Sequence, residues 1–151
     1  MRRGRRIAVA LAAPLLAAHA AEGAPDGAAL FVQNCVMCHQ ADGTGAAGVA
    51  PSLMGEHWAK LGADRGYLPT IMLNGLYGPI KLAGGQVFSG NMPGLAQTLD
   101  DASVAAVANH VRKLQGVDNG PAYGADDIKA VRMLPGSPTL SRQKRSQLVG
   151  G

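Results

Sequence analysis

Apolar residues recur at helical spacing along much of the chain, and this periodicity predicts a mostly α-helical domain. The clearest stretch is 98–115, where basic residues occupy the last turn and Gly116 follows as a stop. Thr98 and Asp101 have the spacing of a capping box at its start. We therefore expect a long amphipathic helix here, whose apolar stripe consists of Val104, Val107, Ala108, Val111 and Leu114.

Three shorter stretches repeat the helical pattern, at residues 25–37, 66–73 and 126–133. In the first of them a proline and an aspartate occupy the first turn, where both residue types favour a helix. The glycine-rich segment 40–51 that follows has the composition of a loop. The pattern thus predicts helices joined by glycine-containing connections.

A short β-hairpin is predicted before the long helix. Gly84-Gly85 separates two short alternating runs, residues 80–83 and 86–89, and a two-residue glycine connection favours a tight turn between strands. Residues 90–94 then have the composition of a loop. The predicted fold class is therefore mostly α, with one small hairpin.

Residues 1–20 have the organisation of a secretory signal peptide, with a basic start, an apolar run at 7–18 and an A-x-A cleavage site at 18–20. The apolar run is too short to span a bilayer as a helix. We therefore expect export to the periplasm, cleavage after Ala20, and no membrane span in the mature chain.

One domain, residues 21–134, follows the signal, and the polar, partly basic segment 135–151 is predicted to be a flexible basic tail. The whole chain has 14 basic and 10 acidic residues, but four arginines leave with the signal. The mature chain is formally neutral, so its charge gives no support for nucleic-acid binding. Aromatic residues make up 4% of the sequence, which is few for a core of this size and fits a domain that buries a large apolar group.

Cys35-Val36-Met37-Cys38-His39 forms C-x-x-C-H, the motif of covalent haem attachment. Two thiols at this spacing add to the two vinyl groups of one haem, and the next residue supplies an imidazole to the iron. Both cysteines of the chain lie in the motif, which leaves none for a disulfide framework. The motif predicts one covalent haem c, with its iron, held by Cys35, Cys38 and His39.

Two other kinds of site use a C-x-x-C pair, a redox dithiol and half of a zinc site. A thioredoxin-like dithiol would need a βαβ context, and the predicted elements do not provide one. A zinc site would need a second pair of ligands, whereas the other histidines, His19, His57 and His110, are scattered along the sequence. The haem interpretation is favoured over both.

A sixth ligand for the iron has to come from elsewhere in the chain. Met54 and Met72 adjoin apolar residues, which is typical of core packing, whereas Met92 precedes Pro93 in a predicted loop. The proline restricts the backbone beside the thioether. Position alone leaves the choice open, because a methionine more often fills gaps in a core.

The order of the motifs resembles that of class I c-type cytochromes over about residues 26–114. The matching features are C-x-x-C-H near the mature N-terminus, Pro51-Ser52-Leu53, Gly90-Asn91-Met92-Pro93 and a final amphipathic helix. The resemblance implies the cytochrome c fold, with helices around one haem and the hairpin before the loop of the axial methionine. It also implies that His39 and Met92 are the proximal and distal iron ligands, and that the Pro51 carbonyl accepts the imidazole N–H.

The same resemblance implies that Gly27 and Phe31 lie where the first helix crosses the last. His110 stands there in place of the family's usual aromatic residue. For Trp58 two roles stay open, donation of its indole N–H to a haem propionate and packing at the pocket rim.

The function that the resemblance implies is periplasmic electron transfer rather than catalysis, because two axial ligands leave no iron position for a substrate. The implied partners are redox proteins, either a dehydrogenase, a reductase or an oxidase, and the chain is either a free carrier or the cytochrome subunit of such a complex. An open-site haem protein is the rival class, and it would need Met92 to be off the iron.

Overall fold

The computed structural model describes residues 23–116 and 120–150 of the chain. The predicted signal peptide, residues 1–20, lies outside these residues. Helices form most of the regular structure, together with one two-stranded antiparallel sheet, which confirms the predicted fold class. Within the described ranges, no helix combines the length and the apolar character needed to cross a membrane.

Helix α1 (Gly27–Asn34) begins at Asp26, whose carboxylate accepts hydrogen bonds from two backbone N–H groups of the first turn, at 2.9 and 3.2 Å. The predicted single helix over 25–37 is interrupted. At Cys35 the backbone leaves helical geometry (φ −126°), and the short helix α2 (Val36–His39) follows. The break gives the C-x-x-C-H motif its own turn, distinct from the helix before it.

The next two helices are α3 (His57–Ala63) and α4 (Tyr67–Asn74). Helix α4 lies within one residue of the predicted range 66–73, and it ends at Gly75, where φ is +75°. Helix α3 was not predicted, because it is short, lacks a side-chain cap and buries only two large residues, Trp58 and Leu61.

The predicted hairpin is present, formed by strands β1 (Leu76–Lys81) and β2 (Val87–Met92). The strands are longer than predicted, and their connection is a 3₁₀ turn at Ala83–Gly85 instead of a two-residue turn. A hydrogen bond from the Leu82 N–H to the Gln86 carbonyl (2.8 Å) closes this connection.

The prediction of a loop over residues 90–94 is wrong for its first half. Met92 is the last residue of β2 and pairs with Leu76, the first residue of β1. The glycine and asparagine before Met92 suggested a loop, but backbone pairing with β1 overrides their weak strand propensity.

Helix α5 (Asp101–Gln115) is the predicted long helix, and Gly116 ends it in the left-handed conformation, with φ +63°. Its start differs from the predicted capping box. The cap is Asp100, whose carboxylate accepts a hydrogen bond from the Ser103 N–H at 2.8 Å, and not Thr98. The predicted stripe faces inward, with Val104, Val107, Ala108 and Val111 buried.

The chain continues with α6 (Ala125–Arg132) and α7 (Pro138–Val149). The flexible basic tail predicted for 135–151 is therefore wrong for the segment that forms α7. Ser137 caps this helix through a hydrogen bond from the Leu140 N–H (3.2 Å), with a proline in the first turn. Helix α7 packs against β1, α4 and α3, and its buried side chains are polar, Ser141 and Arg145, so no apolar stripe revealed it in the sequence.

Helices α1 and α5 cross at close range, as predicted. The ring centroids of Phe31 and His110 are 5.1 Å apart. A Cβ atom at Gly27 would meet the backbone carbonyl of Ala106, so only glycine permits this approach. The crossing anchors α1, and with it the cysteine that follows α1.

Candidate functional site

The C-x-x-C-H residues are positioned by the junction of α1 and α2. Cys35 closes α1 through a hydrogen bond from its N–H to the Phe31 carbonyl (2.8 Å). The N–H of His39 donates in turn to the Cys35 carbonyl (2.9 Å), which forms the single turn of α2. Through this turn, Cys35, Cys38 and His39 all line one cavity.

The contact between His39 and Pro51 that the resemblance implied is present. Nδ1 of the imidazole lies 3.2 Å from the Pro51 carbonyl oxygen. A carbonyl can only accept, so Nδ1 carries the proton and Nε2 keeps its lone pair. Burial lowers the pKa of His39, and the bond to Pro51 opposes this shift only in part. The imidazole is therefore neutral near pH 7, the form that binds a metal.

Gly45 brings the loop before Pro51 close enough for that contact. Its φ is +78°, and a Cβ there would lie 2.6 Å from the Ala50 carbonyl oxygen. Its N–H donates to the carbonyl of His39 (3.0 Å), which ties the loop to the end of α2. The glycine-rich composition of this loop thus serves to hold the imidazole in a fixed orientation.

The Cys35 thiol does not have the character of a redox cysteine. Burial, and next the nearby Cys38, raise the pKa of Cys35 to about 11. Redox cysteines have a depressed pKa that favours the thiolate, whereas Cys35 stays protonated at neutral pH. In the described part of the chain, no group of three or more His, Cys, Asp or Glu side chains is placed to hold a metal ion. The zinc alternative therefore finds no ligand set there.

Met92 lines the same cavity as His39, whereas the other methionines considered, Met54 and Met72, do not. Its backbone is held against the end of α4 by close packing. A Cβ at Gly75 would meet the Met92 carbonyl, and a Cβ at Gly94 would lie 2.6 Å from a carbonyl of α4. The methionine is therefore held by strand pairing on one side and by a tight backbone contact on the other.

The remaining walls of the cavity combine apolar side chains with unpartnered polar atoms. The apolar walls include Leu53, Ile71, Ile80, Phe88 and Leu95. His57 Nδ1, Trp58 Nε1 and Arg145 Nε also belong to lining residues, and each of these atoms is buried without a hydrogen-bond partner. Haem matches this donor set, because it brings a flat apolar ring, an iron and two carboxylates.

Sequence reasoning did not assign Arg145, on α7, to this wall. No apolar periodicity surrounds it, so the segment had the composition of a tail. The available signal was Ser137 followed by Pro138, a cap and first-turn pair that favours a helix start.

Comparison with known proteins decides the family. The model of the family described as cytochrome c matches residues 24–115, more than half of the chain. The chain belongs to the cytochrome c family. As a member, this cytochrome binds haem c covalently, with its iron, and its mostly α fold with a two-stranded sheet is the fold expected of the family.

Relatives of this cytochrome are subunits of larger redox complexes. It is 30% identical over 106 residues to the cytochrome c subunit of a quinone alcohol dehydrogenase from Gluconobacter oxydans. The aligned region covers 70% of this chain and 22% of that relative. It is 34% identical over 101 residues to FixP, a subunit of a cbb3-type cytochrome c oxidase of Bradyrhizobium sp.. The aligned region covers 66% of this chain and 33% of that relative. The chain therefore spans a third or less of these proteins.

Proposed function

We propose that this cytochrome is a periplasmic electron-transfer protein that carries one electron on a single haem. In this proposal Cys35 and Cys38 bind the haem covalently, and His39 and Met92 ligate its iron. The observation that carries the proposal is that the neutral His39 imidazole and the Met92 side chain line one cavity together with both thiols.

When bound, the haem supplies reversible one-electron chemistry between ferric and ferrous iron. The chain's residues set the conditions for that exchange. Pro51 fixes the His39 ring through Nδ1, which leaves Nε2 for the iron. A soft, neutral thioether at Met92 favours the ferrous state and raises the reduction potential.

The partners of this cytochrome are proposed to be redox proteins, a dehydrogenase, a reductase or an oxidase. Its relatives are named as subunits of an alcohol dehydrogenase and of an oxidase. Next to the attachment motif, the surface offers an apolar contact, since Met37 is 91% exposed and Val49 is 56% exposed. Met37 directly precedes Cys38, which is itself exposed, and Val49 lines the same cavity as Cys38. A small apolar patch beside the haem edge suits a transient redox contact.

Export to the periplasm is proposed from the organisation of residues 1–20, which precede the domain. Attachment of haem to C-x-x-C-H requires both thiols to be reduced and accessible, whereas in the folded domain Cys38 is exposed and Cys35 is partly buried. In this proposal the chain is translocated first, and the haem is attached afterwards.

Two measurements on the holoprotein test this proposal. A potentiometric titration should follow a one-electron curve, with one haem per chain. The reduced protein should not bind carbon monoxide, because His39 and Met92 would both ligate the iron and leave it no free position. Rapid carbon monoxide binding by the reduced wild-type protein would instead indicate an open-site haem protein that binds a gas or performs peroxidase chemistry.

A further inference from the structure

Helix α7 lies beyond the segment that matches the cytochrome c family, yet one of its side chains reaches the haem cavity. Arg145 is only 5% exposed. Its Nη1 donates to the Tyr67 hydroxyl at 3.4 Å, and its Nη2 donates to the Lys81 carbonyl at 3.2 Å. Both distances lie at or beyond the long end of the usual range for N–H···O hydrogen bonds. Its Nε is buried without a partner. The guanidinium therefore has donor capacity that the protein does not use.

The charge of Arg145 is also uncompensated. Among the side chains of residues 23–116 and 120–150, no carboxylate forms an ion pair with it, whereas its neighbour Lys144 pairs with Asp64 at 2.9 Å. Burial of an unpaired charge is strongly unfavourable, so buried charges are normally paired. A lysine could lose its proton in such a place, but a guanidinium stays protonated. The arrangement therefore calls for an anion from outside the chain.

The residues beside Arg145 indicate where that anion lies. Trp58 is 4% exposed, and its indole N–H is buried without an acceptor. The Trp58 ring packs against Tyr67, with 6.2 Å between centroids, and the Tyr67 hydroxyl accepts from Arg145. These side chains line the same cavity as His39 and Met92. Two buried donors without acceptors, the Trp58 indole N–H and Arg145 Nε, therefore border one cavity and indicate an acceptor inside it.

We propose that Arg145 binds a propionate carboxylate of the haem, with the Trp58 indole as a second donor, so that helix α7 forms part of the haem site. This inference rests on the proposed function, which places a haem in the cavity. A carboxylate is the planar, anionic acceptor that a guanidinium binds best. Of the two roles that the sequence left open for Trp58, its buried and unpartnered N–H favours the propionate contact.

The ion pair between Arg145 and the propionate would separate electron transfer from proton uptake. A cation beside a carboxylate favours the ionised form and so lowers the carboxylate pKa. With Arg145 in place, the propionate stays ionised across neutral pH, and the reduction potential does not follow pH. Without that cation, the propionate takes up a proton at higher pH. Loss of the cation also disfavours the reduced state of the haem, which carries one more electron, so the reduction potential falls.

Other titratable groups contact α7 and have to be separated from the propionate. They are His57 on α3, Tyr67 on α4, and Asp64, which already pairs with Lys144. Lys81 on β1 contacts α7 through its backbone carbonyl, which does not titrate. Burial lowers the pKa of His57, and the charge of Arg145 lowers it further. Loss of Arg145 would raise the pKa of His57, so this histidine is a second source of pH dependence.

The test measures the reduction potential of full-length holoprotein from pH 5 to pH 9 for wild type, Arg145→Gln and Arg145→Lys. Arg142→Gln is the matched control, since Arg142 lies on the same helix, half-exposed, against Gly78 of β1. We expect Arg145→Gln to lower the equilibrium constant for reduction at pH 7 at least about threefold, which is ~28 mV at 59 mV per tenfold. The same variant should acquire a pH-dependent potential. Arg145→Lys should restore most of both properties.

Three results would overturn the proposal. Equal shifts in Arg142→Gln and Arg145→Gln would indicate a general charge effect. A lower melting temperature with an unchanged potential profile would make Arg145 a structural residue that holds α7 on the hairpin. Loss of the pH dependence in the double variant Arg145→Gln/His57→Gln would assign that dependence to the histidine.

Two further measurements keep the test decisive. If Arg145→Gln does not mature, Trp58→Phe serves in its place, because it keeps an aromatic ring and removes only the N–H. With one donor to the carboxylate lost, the reduction potential at pH 7 should fall below that of wild type, and an unchanged potential in Trp58→Phe would refute the propionate contact. The near-infrared band of iron-bound methionine is recorded for every variant. If the band is present in every variant and the potential does not change, the role of Arg145 is refuted and the proposed iron ligation stands. If the band is absent from wild type, the proposed iron ligation itself is refuted.

Discussion

Gly27→Ala tests whether the crossing of α1 and α5 sets the stability of the domain. The added methyl group would meet the Ala106 carbonyl oxygen, would lie 2.6 Å from the Ala106 carbonyl carbon, and would lie 3.3 Å from the His110 Cβ. The closest atoms belong to the backbone, so no side-chain rotation relieves the clash, and α1 must move away from α5.

The magnitude follows from two opposing effects. Overpacking a tight interior usually costs about 1–3 kcal/mol, and backbone contacts place this site in the upper part of that range. Alanine is a better helix former than glycine, which offsets up to ~1 kcal/mol. A net loss of roughly 2 kcal/mol in the free energy of unfolding would lower the melting temperature by about 8 °C in a domain of this size.

The assay is thermal unfolding of the holoprotein, followed by circular dichroism. Gly23→Ala is the control, because a Cβ at Gly23 meets no atom within 4 Å. The haem spectrum of both variants should match wild type, since the crossing does not contribute an iron ligand. A melting temperature of Gly27→Ala within about 2 °C of the control would show that the two helices do not depend on close contact.

Three further predictions concern processing, helix capping and α7. The periplasmic protein should have the mass of the chain from Ala21 onward plus one haem, and a mass that retains residues 1–20 would contradict the signal prediction. Asp100→Ala should lower the melting temperature at pH 7. Two hydrogen bonds with Ser103 depress the pKa of Asp100, so its capping contribution to stability is fully present above the unfolded pKa. The difference in melting temperature between Asp100→Ala and wild type should therefore shrink as pH falls through the folded pKa. An unchanged difference down to about pH 2 would refute this role. Removal of 138–151 should destabilise the holoprotein and make its potential pH-dependent, whereas unchanged melting would mean that α7 does not support the pocket.

The sequence predicted the fold where the signal was local. The α5 stripe of Val104, Val107 and Val111 is buried as its spacing required, and Gly116 ends the helix in the conformation that favours glycine. His39 and Pro51 lie within hydrogen-bond distance, which follows from the motif order of the family. Residue type and spacing alone carry the information on α5, whereas the contact between His39 and Pro51 was expected only from the resemblance to the family.

Other features depended on partners distant in sequence. Met92 belongs to a strand because it pairs with Leu76, and no local pattern reveals that pairing. The buried side chains of α7, Ser141 and Arg145, are polar, and its apolar Leu148 and Val149 are only partly buried, so the segment looked like a solvated tail. The part that Arg145 plays in the cavity wall follows from the packing of α7 on β1 and α4, which composition does not encode.

The central claim is that His39 and Met92 together ligate the iron of one covalent haem. The most direct test is the near-infrared band of the oxidised protein, which reports a methionine bound to ferric haem. We expect the band in wild type and in Met54→Ala, because Met54 does not line the cavity. Met92→Ala should keep the haem covalently bound and lose the band. A band that persists in Met92→Ala would assign the ligand to another methionine and contradict the account.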